Sequence, residues 1–416
     1  MNRKEAAKGK KRKRIILFLS LAVIVVFAGV YFLRPVLENQ YFTGTSIDKV
    51  DVETEKAIPL SIVCVGDIMV HKPQIASQYD SESGTYNYDN NFQYVKKYIQ
   101  EADLALCNVE TTFAGGTPTG YPSFNAPDAL ADALMNAGFD VAITSNNHLY
   151  DKGLSGMKRT LQILREAGFI TTGTRLPEEK NYSMIQVNGL QIAVIAYTYE
   201  TPTFNGKTTI NSAVLSEEAI PLINSFNYET LDEDLQSVEN TIIEAKEADA
   251  DIVVCYYHWG EEYERTPNHW QEYIAKKTAE MGADIIFASH SHVLQRAEML
   301  TVEETGKRVP VFYGMGNFLS NQRVETLNNR FTEQGMIARV QLEYKKSTGE
   351  ITMIEMDAMQ TWMEKYTSGG KIIYTIIPLD NGFKNNEKLI ESGHLERAIQ
   401  ASEDVNAVLG DNYIWK

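Results

Sequence analysis

Asparagine, histidine and acidic residues stand at the ends of several apolar segments of this chain, where they are suited to hold a metal ion. The clearest case is Asn146-Asn147-His148, which follows the apolar run 139–143 and precedes Asp151. Packing alone explains these residues poorly, because buried polar groups need partners. In an open α/β sheet, the loops at the carboxyl ends of strands carry the ligand sites. We therefore interpret this stretch as part of a metal site.

Further apolar segments, each predicted to be a strand, end in residues of the same kind. Four of the seven histidines stand at such ends. Carboxylate, amide oxygen and imidazole together suit manganese, iron or zinc. Asn317 also follows a predicted strand, and we expect it to be structural or to support a metal ligand from behind. The predicted metal ligands are Asp67, Glu110, Asn147, His258, His290 and His292.

Each candidate ligand has an ordinary alternative. Asp67 could cap a turn, and Glu110 could pair with a surface cation. Asn147 could form an Asx turn, and His258 could be a core histidine. The metal interpretation is favoured because these residues recur at successive strand ends.

His290 and His292 are two residues apart, so on an extended segment they are not expected to reach one metal. Both can reach one site only if the loop bends. His148 is better placed to transfer a proton than to bind metal, and we predict it to be catalytic. Asp151 either orients His148 through a hydrogen bond or caps the following helix. His71 is a weaker candidate.

The amino-terminal residues differ from the rest. Residues 1–14 carry eight Lys or Arg, and residues 15–33 carry no charge. About 20 apolar residues cross a bilayer as a helix, with the basic side in the cytoplasm. We predict a basic cytoplasmic tail (1–14), a transmembrane signal anchor (15–33), a stalk (34–57) and an extracellular domain held at the cell membrane.

Charge and cysteine positions exclude two classes of protein. The formal net charge of −16 disfavours nucleic-acid binding. Cys64, Cys107 and Cys255 each lie inside an apolar strand pattern, which indicates buried free thiols rather than a disulfide framework.

Strand and helix patterns alternate along most of the chain, which predicts an α/β fold. Asn188-Gly189 and residues 347–349 predict hairpin turns. Residues 200–230 have no clear period, and we interpret them as an insertion over the site. The last sixty residues carry weak signals.

Together these motifs resemble the poly-γ-glutamate capsule biosynthesis (CapA-type) family. The resemblance spans residues 60 to about 320. It implies a calcineurin-like metallophosphoesterase fold, a four-layer α-β-β-α sandwich, here over residues 58–360, with 361–416 as a C-terminal extension. The matching runs are Val65-Gly-Asp-Ile-Met69, Asn108-x-Glu110, Asn146-Asn-His-x-x-Asp-x-Gly153, His258-Trp-Gly-x-Glu262, His290-x-His292-Val-Leu-Gln295 and Gly316-Asn-Phe318.

The resemblance also implies two sets of metal ligands that share Glu110. One set keeps Glu110, Asn147, His258 and His290, and the other keeps only Asp67, Glu110 and His292. The second set is reduced because Met69 stands where these phosphoesterases have histidine, and a thioether is a poor ligand for a hard cation. The glycine usual before the two histidines is also missing. We expect one well-held divalent metal and a second that is weak or absent.

Three functions remain open. The first is a metal-dependent hydrolase-like role in synthesis or export of poly-γ-glutamate, an anionic polymer that a cluster of Lys152, Lys158, Arg296 and Arg323 would attract. The second is a cell-surface phosphoesterase. The third is a non-catalytic, metal-bound scaffold of the membrane synthase that makes the polymer.

Overall fold

The computed structural model describes residues 56–410 and 413–415. In chain order its strands are β1 (Ile58–Ile68), β2 (Tyr79–Asp80), β3 (Thr85–Tyr86), β4 (Leu104–Val109), β5 (Val141–Ile143), β6 (Ile170–Thr172), β7 (Ser183–Val187), β8 (Leu190–Tyr199), β9 (Thr201–Phe204), β10 (Lys207–Ile210), β11 (Ala213–Val214), β12 (Ser225–Phe226), β13 (Ile252–His258), β14 (Ile285–Ser289), β15 (Ala297–Thr301), β16 (Arg308–Phe312), β17 (Asn317–Leu319), β18 (Gln334–Lys345), β19 (Glu350–Ser368) and β20 (Lys371–Pro378).

The helices are α1 (Lys72–Ser77), α2 (Asp89–Phe92), α3 (Lys96–Gln100), α4 (Ala129–Ala137), α5 (Gly153–Ala167), α6 (Leu231–Glu247), α7 (His269–Met281), α8 (Val324–Leu327), α9 (Glu387–Ser392) and α10 (Leu395–Leu409). Short 3₁₀ helices cover Ile220–Leu222, Arg330–Glu333 and Phe383–Asn385.

Two large sheets carry the site. The first has the order β20-β19-β18-β1-β4-β5-β6, with β17 beside β1, and the second has the order β12-β8-β13-β14-β16-β15, with β7 beside β8. β1, β4, β5 and β6 are parallel to one another, and so are β8, β13, β14 and β16. The carboxyl ends of each parallel set therefore share one edge of their sheet, where such sheets bind ligands.

The core lies between the two sheets and on their outer faces. Successive residues of a strand face opposite ways. Ile62 and Cys64 of β1 join a core with Val254 of the second sheet. Val63 and Val65 instead pack with residues of α4 and α5. The outer face of the second sheet packs against α6 and α7. The predicted α/β class is confirmed, with two packed sheets between layers of helices.

The three cysteines are buried and free, as predicted. The predicted hairpins also form, since β7 pairs with β8 and β18 pairs with β19, both in antiparallel. Asn188 and Gly189 both have positive φ, as a tight hairpin turn requires.

Gly66 allows the close approach that places Asp67. A Cβ atom on Gly66 would lie 2.0 Å from the carbonyl oxygen of Gly316. The backbone N–H of Asp67 donates to that same oxygen at 3.0 Å. The pairing of β1 with β4 shifts register between Val65 and Asp67. The run Val65-Gly66-Asp67 is therefore a bulge that sets the direction of the Asp67 side chain.

Part of the segment 200–230 forms a separate small sheet, whereas β12 within it pairs with β8 of the second large sheet. β9, β10 and β11 make a three-stranded antiparallel sheet. Ile210, Leu215 and Leu222 pack with Leu149 and Met157, which border the Asn-Asn-His loop. The insertion therefore rests on the segment that carries His148.

The carboxyl-terminal residues extend the first sheet. β19 continues past residue 360, and β20 pairs with it to residue 378. Val405 and Leu409 of α10 join the core between the sheets. The separate C-terminal extension at 361–416, like the rest of the predicted domain division, stays a prediction.

The predicted single-pass location at the cell membrane requires correction. Crossing a bilayer takes about 20 apolar residues in a helix. Among residues 56–410 and 413–415, no helix has the length and the apolar character that this needs. The predicted anchor 15–33 and tail 1–14 lie outside the described residues, as does most of the stalk. We do not retain the membrane location or the extracellular placement that followed from it.

Candidate metal centre

Five of the six predicted ligands converge at the carboxyl ends of β1, β4, β13 and β14. Donor atoms of Glu110, His258 and His290 lie within 4.8 Å of one another, and so do donor atoms of Asp67, Glu110 and His292. All five side chains are buried. Glu110 belongs to both groups, and the ligands come from both sheets.

Glu110 is the centre of the arrangement. Its Oε1 lies 3.7 Å from His258 Nε2 and 4.0 Å from His292 Nε2. That oxygen accepts no hydrogen bond from the described residues, and His290 Nδ1 is likewise unpartnered among them. Leaving buried polar atoms unsatisfied costs about 1–3 kcal/mol each. A carboxylate oxygen and an imidazole nitrogen that lie near one another without hydrogen-bond partners are suited to bind a divalent metal ion.

The two carboxylates have opposite electrostatic environments. Burial, together with the negative charge of Asp67, raises the pKa of Glu110 well above its usual range. Burial also opposes ionisation of Asp67, but the hydrogen bond and charge of His292 outweigh it and hold the pKa of Asp67 below its usual range. His292 Nδ1 lies 2.9 Å from Asp67 Oδ2, and the Ser289 hydroxyl donates to Asp67 Oδ1. Asp67 is therefore fixed as a carboxylate.

Burial keeps two of the histidines neutral. It lowers the pKa of His258 to about 3 and lowers the pKa of His290 well below its usual value. Their rings are 4.7 Å apart, centre to centre. A neutral imidazole is the form that binds metal. Both side chains are therefore in a ligand-competent state at neutral pH.

The loop after β14 bends as the His-x-His spacing requires. His290 has a φ of 106° and His292 a φ of 55°, a region that L-residues other than glycine rarely adopt. The bend directs His290 toward Glu110 and His258, and His292 toward Asp67. Such strain is typical of functional sites.

Asn147, the sixth predicted ligand, lies beside His258. Its Oδ1 is 3.1 Å from His258 Nε2. This places an amide oxygen next to the group formed by Glu110, His258 and His290. Metal binding by Asn147 stays a prediction.

His148 has the surroundings of a proton-transfer residue. Its Nδ1 lies 2.8 Å from Asp151 Oδ2, and the same oxygen accepts the Phe124 N–H at 2.6 Å. The following helix is capped at Lys152 without a side-chain hydrogen bond. Asp151 therefore orients His148 and does not cap the helix. The Phe124 ring packs edge-on to both His148 and His71, which accounts for the position of His71 near the site.

The insertion reaches the same histidine. Asn211 follows β10, and its Nδ2 lies 3.5 Å from His148 Nδ1. Asn211 and Ser212 both have positive φ, so the tip of the insertion turns tightly. Asn211 thus brings the insertion into contact with His148, in keeping with the expectation that residues 200–230 lie over the site.

Sequence reasoning missed Asn108 as a site residue. Its Nδ2 donates to Asp67 Oδ1 at 2.9 Å and lies 3.5 Å from Glu110 Oε2 and from His258 Nδ1. Asn146 in turn donates to Asn108 Oδ1 at 3.2 Å. The sequence does contain a pattern that predicts this position of Asn108. Residues two apart on a strand share a face, and Asn108 precedes Glu110 by two.

Asn317 contacts the histidine loop, as either a structural or a ligand-supporting residue would. Its amide donates to the carbonyls of His292 and Thr332 and to the side chain of Gln322. Met69 is buried, and its backbone N–H donates to Leu319.

Three of the four cations expected to attract the polymer have carboxylate partners. Lys158 pairs with Glu218, and Arg296 pairs with Glu272 and Glu298. Arg323 is buried against Glu333. These carboxylates offset the charge of the three cations, and their clustering with Lys152 stays a prediction.

Comparisons with known proteins give a family. Among solved structures, the chain is similar to a hypothetical protein from Thermus thermophilus (12% identity, TM-score 0.41, covering 72% of this chain and 99% of that one) and to a phosphatase from Mycoplasma pneumoniae (12% identity, TM-score 0.42, 73% and 94%). These TM-scores are too low to support an argument about the fold, so the fold rests on the strand order of this chain.

Two relatives from Bacillus species are more informative. The chain is 30% identical to the capsule biosynthesis protein CapA of Bacillus anthracis, over 65% of this chain and 61% of that protein. It is 26% identical to the PGA biosynthesis protein CapA of Bacillus subtilis strain 168, over 96% and 95%. Residues 61–322 match the family described as bacterial capsule synthesis protein PGA_cap. Since this match covers more than half of the chain, the chain belongs to that family.

Proposed function

We propose that this protein is a divalent-metal hydrolase of capsule biosynthesis that acts on a polymer of γ-linked glutamate. The observation that carries the proposal is Glu110, a buried carboxylate shared by two groups of potential ligands. The names of the two Bacillus relatives support the link to capsule and to PGA biosynthesis.

The finer assignment is a metallophosphoesterase-like centre. Two packed sheets bring candidate ligands together in two groups, which supports this assignment. We assign Glu110, Asn147, His258 and His290 to a well-held metal, and Asp67, Glu110 and His292 to a weaker second one. The mixture of carboxylate, amide and imidazole favours manganese, iron or zinc.

A metal bound here would polarise an amide or phosphoryl oxygen and lower the pKa of a bound water. The residues of the chain supply the rest. Asp67 is held ionised by its hydrogen bonds, and His258 and His290 are held neutral by burial. Asp151 fixes Nδ1 of His148, which leaves Nε2 as the atom that can donate a proton to the leaving group.

The test uses the full-length protein, loaded with Mn²⁺ and incubated with γ-linked glutamate oligomers. We expect shorter oligomers by mass spectrometry, and we expect them to disappear in His148→Ala and His258→Ala. His269→Ala is the matched control, because His269 is exposed on α7. A Mn²⁺-loaded protein that leaves the oligomers intact would contradict the proposal.

A general phosphoesterase is the second candidate, and the sharing of Glu110 favours it. Two-metal sites that clamp both oxygens of a phosphoryl transfer hold their ions about 3.5–4 Å apart, which a bridging carboxylate allows. Hydrolysis of nitrophenyl phosphate by the same samples, without oligomer cleavage, would select this function. Metal binding without turnover of either substrate would select the scaffold role.

A further inference from the structure

We propose that Glu262 is an additional metal ligand, which closes the weaker group of Asp67, Glu110 and His292 from the solvent side. This inference rests on the proposed metal centre. Glu262 follows β13 by four residues, and its Oε1 lies 3.9 Å from His292 Nε2.

The geometry of His292 points to a ligand on that side. Its Nδ1 is engaged by Asp67, so Nε2 is the atom that remains for a metal. Nε2 lies 4.0 Å from Glu110 Oε1 and 3.9 Å from Glu262 Oε1. Two ligand atoms that are each ~2.1 Å from one octahedral metal are roughly 3.0–4.2 Å apart. Both carboxylate oxygens therefore stand at ligand-to-ligand distance from the same nitrogen.

The buried oxygen of Glu110 is an independent sign of a missing ion at this place. It is unpartnered among the described residues, and it lies within 4.0 Å of the imidazole Nε2 atoms of both His258 and His292. Asp67, Glu110 and His292 offer three protein donors, fewer than the six of an octahedral ion. Glu262 lies outside the group formed by these three donors, so its exposed side chain has to turn toward the ion to complete the site.

The loop that carries Glu262 is fixed to the histidine loop. Tyr263 has a φ of 68°, and its N–H donates to the carbonyl of Ser291 at 2.7 Å. Gln322 donates to the Tyr263 hydroxyl at 3.2 Å. The backbone beside Glu262 is thus held, while its side chain is 44% exposed and able to adjust to an ion.

An ordinary surface role explains Glu262 less well. Across the described ranges it makes no ion pair with lysine or arginine, and its ion-pair contact is with His292, a side chain that is 2% exposed. The neighbouring residue Glu261 is also exposed. In the described part of the chain, Glu261 makes no ion pair with a site histidine, whereas Glu262 does.

The experiment is a Mn²⁺ titration of the metal-depleted full-length protein, followed by electron paramagnetic resonance and calorimetry. We expect two classes of site in the wild type. Glu262→Gln should weaken the lower-affinity class about 10–100-fold and leave the other class unchanged. Glu261→Gln, the matched control, removes the same charge one residue away and should leave both classes unchanged. Glu262→Asp keeps the charge but withdraws the oxygen, so it should also weaken the site.

Three results would overturn the inference: equal affinities in Glu262→Gln and Glu261→Gln, wild-type affinity in Glu262→Asp, or a single class of site in the wild type. The readout needs no turnover. Loss of Mn²⁺ affinity in Glu262→Gln without cleavage of any substrate would refute the hydrolase while supporting Glu262 as a ligand. Hydrolysis by Glu262→Gln with unchanged Mn²⁺ affinity would support the hydrolase and refute Glu262 as a ligand.

Discussion

Replacing Glu110 by glutamine should stabilise the metal-free protein and abolish its stabilisation by metal. The wild-type side chain is fully buried, and its Oε1 has no hydrogen-bond donor in the described part of the chain. Glutamine keeps the shape but removes the charge. Glu110 is thus predicted to lower the stability of the metal-free protein and to be required for its stabilisation by metal.

The size of the effect follows from the burial of this one group. Glutamine keeps a buried polar oxygen and loses the charge, and an unsatisfied buried charge costs more than an unsatisfied neutral group. We take the difference as about 1–3 kcal/mol. A chain of this length unfolds with an entropy of about 0.8 kcal/mol/K, so Glu110→Gln should raise the metal-free melting temperature by about 1–4 °C. Metal at 100 times its dissociation constant should stabilise the wild type by about 2.7 kcal/mol and offset most or all of that difference.

The sign of the pH dependence follows from the raised pKa of Glu110. A carboxyl group whose pKa rises on folding does not destabilise below its unfolded pKa of about 4.3, and it destabilises increasingly as the pH rises above that value. The advantage of Glu110→Gln should therefore vanish near pH ~4 and be largest above neutrality.

The assay is calorimetric melting of the full-length protein with a chelator and then with excess Mn²⁺. Glu364→Gln is the matched control, because Glu364 is equally buried but accepts hydrogen bonds from Trp362 and His394, each at 2.7 Å. That variant should melt lower than the wild type in both conditions. The reasoning is refuted if Glu110→Gln also melts lower without metal, or if Mn²⁺ raises its melting temperature as much as it raises that of the wild type.

Three further predictions concern other residues. Asp151→Asn should lower turnover about 10–100-fold while leaving Mn²⁺ affinity unchanged, because Asp151 orients His148 without joining the ligand groups. Steady-state kinetics measures the turnover and calorimetry measures the affinity. An equal loss of Mn²⁺ affinity would contradict this prediction. Burial lowers the pKa of His71 to about 4. As the pH drops from 6.5 to 4, the unfolding free energy of the wild type should therefore fall relative to that of His71→Gln, by up to about 1.4 kcal/mol per pH unit. Urea titrations measure this difference, and parallel curves for the two proteins would contradict it. Gly66→Ala should destabilise by about 3 kcal/mol because its Cβ would collide with the Gly316 carbonyl, and an unchanged urea midpoint would disprove that clash.

The convergence of the candidate ligands was predictable because the chain places polar residues where apolar strands end. The apolar segment before His258 forms the strand Ile252–His258, which carries His258 at its carboxyl end. Once the strands are parallel, their ends meet at one edge, so residues far apart in sequence become neighbours. The same rule yields Asp67, Glu110 and the histidines after β14.

What could not be predicted depends on backbone torsions and on neighbours in space. A pattern of strand residues gives no sign that His290 and His292 adopt positive φ, which L-residues rarely do. The pattern also gives no sign of a carboxylate that approaches a cation from far along the chain, as Glu218 approaches Lys158. β19 gave a weak signal because its central residues are buried on both faces, which removes the alternation that reveals a strand.

The small sheet β9–β11 has a consequence for how relatives of this protein diverge. The candidate ligands come from the tips of two large sheets, whereas Asn211 of the insertion lies beside His148. The apolar residues of the insertion pack on Leu149 and Met157, so a change in this segment would act on the His148 loop rather than on the ends of β1, β4, β13 and β14. We expect relatives to vary in this segment more than at those strand ends.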